Sequence, residues 1–164
     1  MTTAEKTIPD GITADVLTRT LQEGYGPGAW HGPDLKAAMT GVDEALALWR
    51  PGADRHSIAE IALHHAYCAR GVLAKITGAD PGPFVADGDD WFAVNDGSRL
   101  SWRTIRDEVD REQTRLADAD ADIASRRVTS PLSPAERFDL VLGISCHAVY
   151  HAGQIQLIKK LREG

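Results

Sequence analysis

The run Leu140 to Ile158, LVLGISCHAVYHAGQIQLI, contains no Asp, Glu, Lys or Arg. An uncharged stretch of this length either spans a membrane or is buried as one helix of a core. Two His, two Gln and one Ser within it favour the buried helix. At 3.6 residues per turn, His147 and His151 stand one above the other. They share their stripe with Leu140, Val141, Ile144, Ala148, Ile155 and Ile158, so both imidazoles point where the helix buries itself. A polar ring removed from water without a partner costs roughly a few kcal/mol. The pair therefore requires hydrogen bonds, a countercharge or a metal ion. One turn of rise lets two ring nitrogens converge on one ion, but the same spacing also serves histidines that are merely hydrogen bonded. A third inward histidine is what separates these cases.

The second long helix supplies one. It opens at Ser57, with Glu60 three residues on to complete a capping box, and it closes at Gly78 and Asp80-Pro-Gly-Pro. Its apolar stripe is Ile58, Ile61, His64, His65, Cys68, Val72 and Ile76. Periodicity leaves His64 and His65 equally placed as the inward imidazole.

The remaining segments are helical as well. Ile12 to Glu23 reads as a first helix with Thr13 as N-cap, the stripe Val16, Leu17 and Leu21, and Gly24 as stop. The loop GYGPGAWHGP carries Tyr25, Trp30 and His31, either as a plug for the core or as a binding lid. Short helical pieces follow at Asp34 to Met39 and Asp43 to Trp49. A loop from Pro81 to Gly97 holds Phe84, Trp91 and Phe92. Leu100 to Ile123 forms the third long helix, with Trp102, Ile105, Val109, Leu116 and Ile123 in one seam and Asp107, Glu108, Asp110, Arg111 and Glu112 expected outside. Ser133 as N-cap, Pro134 and Glu136 open the last helix, expected to reach Leu161.

No strand pattern or internal repeat interrupts this series. The chain, residues 1–164, is expected to be one all-α domain, an antiparallel four-helix bundle with the short helices in its first crossover. The second and fourth long helices then form two walls of a single site.

Charge and cysteine content narrow the function. A net charge of −6, with no clustered Lys and Arg, argues against a nucleic-acid partner. Cys68 and Cys146 are the two cysteines and form no C-x-x-C pair, so a reducing cytoplasm is the expected compartment. The opening MTTAEKTIPD has neither an apolar core nor a cleavage site, and no secretion signal is expected from it. The absence of a Gly-rich phosphate loop or Rossmann fingerprint leaves nicotinamide, flavin and ATP without support.

The residues SIAEIALH in the second long helix and CHAVYHAGQI near the C-terminus together resemble the DinB-like superfamily, which includes the YfiT-like metal-dependent hydrolases and bacterial thiol transferases. The likeness covers most of the chain, from the second long helix to the end. It implies a divalent metal held by one histidine of the second long helix and two of the fourth, here His64, His147 and His151. It selects His64 over His65, which reads as a core histidine bonded to a backbone carbonyl. Cys68, one turn after His64, reads as a small hydrophobe, with a fourth ligand as its sharper alternative. Glu60 is either a capping-box partner or an acceptor for an imidazole N–H. Gln154 either orients a ligand or bonds a neighbouring helix, and Gly153 suggests a close backbone approach.

Three neutral imidazoles leave an open position on the ion. The expected function is thus a metal-dependent enzyme that activates a low-molecular-weight thiol or water against a small electrophilic substrate, a thiol S-transferase or a hydrolase. Zn or Ni is the expected cation, with Mn and Fe also suited to imidazole. The contrasting expectation is a metal- or small-molecule-binding bundle without turnover, of a stress-related kind. Tyr67, Trp30, His31 and Trp91 are candidate pocket residues. Leu142, Cys146, Val149 and Leu157 lie off the core stripe of the last helix, and this excess apolar surface suggests a homodimer.

Overall fold

The computed structural model describes residues 14–95 and 100–163, and of Ala14 only the backbone. All regular structure among the described residues is helical: α1 (Ala14–Gly24), α2 (Leu35–Ala38), α3 (Glu44–Leu48), α4 (Ile58–Thr77), α5 (Trp102–Ala124) and α6 (Pro134–Glu163). The long helices α1, α4, α5 and α6 make the expected bundle, and α2 and α3 occupy its first crossover. Thr13, the expected cap of α1, lies outside the described residues.

Short polar side chains set where the helices begin. Asp34 accepts from the backbone N–H groups of Lys36 and Ala37, and Asp43 from that of Leu46. Ser57 and Glu60 complete a reciprocal capping box at α4, and Ser101 accepts from Thr104 N–H at α5. At α6, Ser133 N–H donates to Glu136 Oε2 at 2.8 Å and Glu136 N–H donates back to Ser133 Oγ at 3.3 Å. Gly78 ends α4 in the left-handed region at φ 70°, where a Cβ would also meet Pro131 Cγ at 3.1 Å.

Two apolar clusters reveal the direction of each helix. One joins the start of α1 (Leu17, Leu21), the end of α4 (Leu73, Ile76), the end of α5 (Leu116, Ile123) and the start of α6 (Val141, Ile144). The other joins the first halves of α4 and α5 to the second half of α6, roofed by α2, α3, Phe92 and Val94. Hence α1 and α6 run one way while α4 and α5 run the other. The bundle is antiparallel as one parallel pair against another, without strict alternation, because the crossover between α4 and α5 is long enough to carry the chain back along the bundle.

One expected face differs. Glu108 and Glu112, expected on the outside of α5, are 5% and 0% exposed. Glu112 meets Arg70 of α4 at 3.5 Å, Arg111 at 3.2 Å and Arg115 at 2.9 Å. A carboxylate is tolerated in this seam because guanidinium groups surround it. No helix among the described residues is long and apolar enough to cross a membrane.

Candidate metal centre

The site lies in the upper half of the bundle, between α4 and α6. Ile58 through Ala66 are all buried, so α4 buries both members of the His64-His65 pair toward different neighbours. His64 faces α6, and His65 lies deeper, toward α5. On α6, His151 is 3% exposed and His147 is half-buried. The three histidines expected to share an ion are thus brought together: Nε2 of His147 lies 3.0 Å from Nε2 of His64 and 3.0 Å from Nε2 of His151. Two nitrogens bonded to one ion at about 2.1 Å sit about 3.0 Å apart at a right angle and about 3.4 Å apart at the tetrahedral angle. Each of the two distances to His147 suits a pair of ligands on one ion, and the group whose donor atoms all lie within 4.8 Å of one another is His64, Cys68 and His147.

The opposite nitrogens are all held. His64 Nδ1 donates to the Asp90 carbonyl at 2.8 Å, with the Asp90 carboxylate 3.2 Å away. Asp90 turns its backbone through φ 61°, a left-handed conformation that Asp tolerates better than most residues, and so presents both groups to one ring. His151 Nδ1 donates to Gln154 Oε1 at 2.6 Å. His147 Nδ1 lies 3.0 Å from Nδ1 of His65, whose Nε2 is bonded by the Gln113 side-chain amide from α5. Protons retained on Nδ1 of His64 and His151 leave their Nε2 lone pairs directed at His147.

Burial and neighbouring imidazoles keep His65, His147 and His151 neutral. Burial, then the neighbouring His151 and His64, pushes His147 down from 6.5 to about 4. Burial likewise lowers His151 to about 4, against the opposing hydrogen bond from Gln154. His65 falls well below its ordinary value because it is wholly buried beside other imidazoles. Neutral rings at pH 7 are what a cation requires.

Cys68 also belongs here. Its Sγ is 3.8 Å from His64 Nε2, and His64, Cys68 and His147 each bring one donor atom within 4.8 Å of the others. Burial and the nearby Asp90 carboxylate push its thiol up to about 11, so the sulfur stays protonated unless a cation displaces the proton. Cys146 is exposed on the outer face of α6.

A loop covers the group. Trp91 stacks on His64 at 4.0 Å and on His56 at 3.7 Å between ring centroids. Tyr67 Oη donates to Asp89 at 2.5 Å, and Val94 N–H donates to Glu60 at 3.3 Å, which pins both ends of the Asp89–Val94 strap to α4.

The structure decides several open readings and corrects others. His65 bonds no backbone carbonyl; it bridges His147 and Gln113. Glu60 serves the capping box and pairs with Arg50, so its contribution to the site is to anchor the strap. Gln154 bonds within α6 to His151 and to Tyr150. Trp30 is 91% exposed, and His31 Nε2 lies 2.8 Å from the Glu23 carbonyl at the end of α1; neither touches the histidine cluster. Gly153 has no heavy atom within 4 Å of where a Cβ would stand, so close packing does not explain it. Asp90 and Gln113 escaped the sequence reading, one because a loop has no period and the other because it sits among charged residues on a helix judged by its outer face.

A helical bundle whose core gathers His64, Cys68 and His147 between its second and last long helices belongs to the class that builds metal sites from facing helices. The chain is a member of the DinB superfamily, whose family model matches residues 29–155, from the loop before α2 into the last turns of α6. No curated protein and no solved structure matches it.

Proposed function

We propose that the protein is a metal-dependent enzyme that holds a divalent cation, Zn or Ni first, on His64, His147 and His151 and uses it to activate a small thiol or water against an electrophilic substrate. The observation that carries this reading is the shared orientation of the three rings: each Nδ1 has a partner, and Nε2 of His147 lies 3.0 Å from Nε2 of His64 and 3.0 Å from Nε2 of His151. A cation bound there lowers the pKa of a thiol or water that reaches its open side. Asp90 and Gln154 hold the tautomers of His64 and His151, and Trp91 closes one side of the site and limits access of bulk water.

Elemental analysis of the purified protein tests the metal half of the proposal, with one equivalent expected and His147→Ala expected to lose it. Conjugation and hydrolysis assays with a panel of cellular thiols and electrophiles test the catalytic half. A fully active His147→Ala variant would discard it.

The position of Cys68 favours a second reading. A thiolate joining the three imidazoles would close the coordination sphere and leave a binding protein without turnover. Cobalt-loaded protein distinguishes the two. A sulfur-to-cobalt charge-transfer band that Cys68→Ser removes supports the closed site, whereas identical spectra support the open one.

A further inference from the structure

His65 is 0% exposed and Gln113 8%, and each comes from a different helix; they bond each other, and His65 reaches on to His147. A wholly buried imidazole between two polar groups on two other helices is costly unless both ring nitrogens are used. Here both are: Nδ1 faces His147 Nδ1 at 3.0 Å and Nε2 faces the Gln113 amide. In the structure the Gln113 amide nitrogen faces His65. An amide N–H donating there makes His65 Nε2 the acceptor and places the His65 proton on Nδ1. His65 then donates to His147 Nδ1, and the His147 proton resides on Nε2, where it can donate to the free Nε2 of His64 or His151. That chain is self-consistent without a cation, and it is the wrong tautomer of His147 for holding one.

We propose that His65 and Gln113 are positioning residues that reverse this hydrogen-bond chain when a cation is held, so that His147 keeps its proton on Nδ1 and offers Nε2. In the reversed chain His147 Nδ1–H donates to His65 Nδ1, His65 Nε2–H donates to the Gln113 amide oxygen, and the amide has turned over. The step balances when the His147 Nε2 proton leaves as the cation takes its place, the His65 Nδ1 proton passes to His147 Nδ1 and His65 Nε2 takes up one proton, so each imidazole carries one proton before and after and the net release is zero. The inference rests on the reading of His147 as a metal ligand.

The test uses the full chain, stripped of metal and titrated with Co(II) or Zn(II) against a competing chelator. Binding by the wild type and its loss in His147→Ala examine the metal reading alone; a wild type that binds neither ion overturns both the reading and the relay. Given binding, His65→Leu is expected to weaken it about 10- to 100-fold, the usual effect of removing a ligand's orienting partner. His65→Asn, whose amide oxygen can stand where Nδ1 stood, is expected to recover most of that loss. Equal affinity of His65→Leu and wild type, or no recovery by His65→Asn, overturns the relay and leaves the metal reading intact. Long-range 1H–15N spectra of the histidines supply a readout that a packing role would not move. His147 is expected as the Nε2–H tautomer without metal and the Nδ1–H tautomer with Zn(II), while His65 changes in the opposite sense. An unchanged His65 tautomer on loading contradicts the proposal. If His65→Leu does not fold, Gln113→Leu takes its place, with binding about 10-fold weaker expected and unaltered binding overturning the role.

Discussion

At the scale of single residues, the rings divide their two nitrogens between structure and chemistry. Gln154 shows this most simply, because it lies one turn from His151 on the same helix and accepts its Nδ1–H at 2.6 Å. Gln154→Leu should leave the helix intact and reduce metal affinity about 10-fold in a chelator competition, through loss of the tautomer preference. The titration of the rings gives a second prediction. His147 and His151 are each lowered from 6.5 to about 4, first by burial and then by neighbouring imidazoles. Between those values the unfolded chain binds more protons than the folded one, so stability rises with pH across this window. Thermal unfolding of metal-free protein should show a melting temperature that is level above about pH 6.5 and falls steadily toward pH 4. The His147→Ala, His151→Ala double variant should lose most of that slope.

At the scale of elements, the helices were largely legible because their ends are written in local chemistry. Ser57 and Ser133 act on neighbours within a turn, and the structure places both as their spacing predicts; Ser101, Asp34 and Asp43 cap their helices by the same local chemistry. The same locality explains what was missed. The stripe Ile58, Ile61, His64 and His65 says that α4 is buried, but Ile58 to Ala66 is buried all round, and periodicity cannot say which neighbour each histidine meets. That depends on the rotation of α5 and α6 about their axes, which no spacing within α4 encodes. Glu112 escaped for the same reason, since a charge on a polar-looking face reads as solvated until Arg70 arrives from another helix. Removing it leaves Arg70, 5% exposed, without its buried counterion. Glu112→Ala is therefore expected to destabilise the fold by about 3–5 kcal/mol in urea denaturation. Ser57→Ala, which removes one half of a capping box, should cost about 1 kcal/mol in the same assay.

At the scale of the molecule, the two apolar clusters assign different work to the two ends of the bundle. The lower cluster around Leu73, Leu116 and Val141 fastens the four long helices, and the upper one surrounds the histidines. Leu116→Ala should cost about 2–5 kcal/mol of stability by leaving a cavity, with metal affinity measured at low temperature unchanged. The homodimer suggested by the sequence is a proposal about the outer face of α6, where Leu142, Tyr150, Leu157 and Leu161 are exposed. Sedimentation equilibrium checks it: a dimer is expected, and Leu157→Glu is expected to shift it toward monomer.

The family and the helical order were readable from H-x-x-x-H-x-G-Q-I and its upstream partner, while the strap residue Asp90 and the inner histidine's bridge required three-dimensional placement. What unites these observations is the meeting of His64 and His151 at Nε2 of His147, 3.0 Å from each. Anomalous diffraction from crystals grown with a divalent transition metal tests that directly. The account predicts a single strong peak bonded to Nε2 of His64, His147 and His151, at about 2.0–2.2 Å from each. A peak bound elsewhere, or His64 turned away from a metal held by the α6 pair alone, would contradict it.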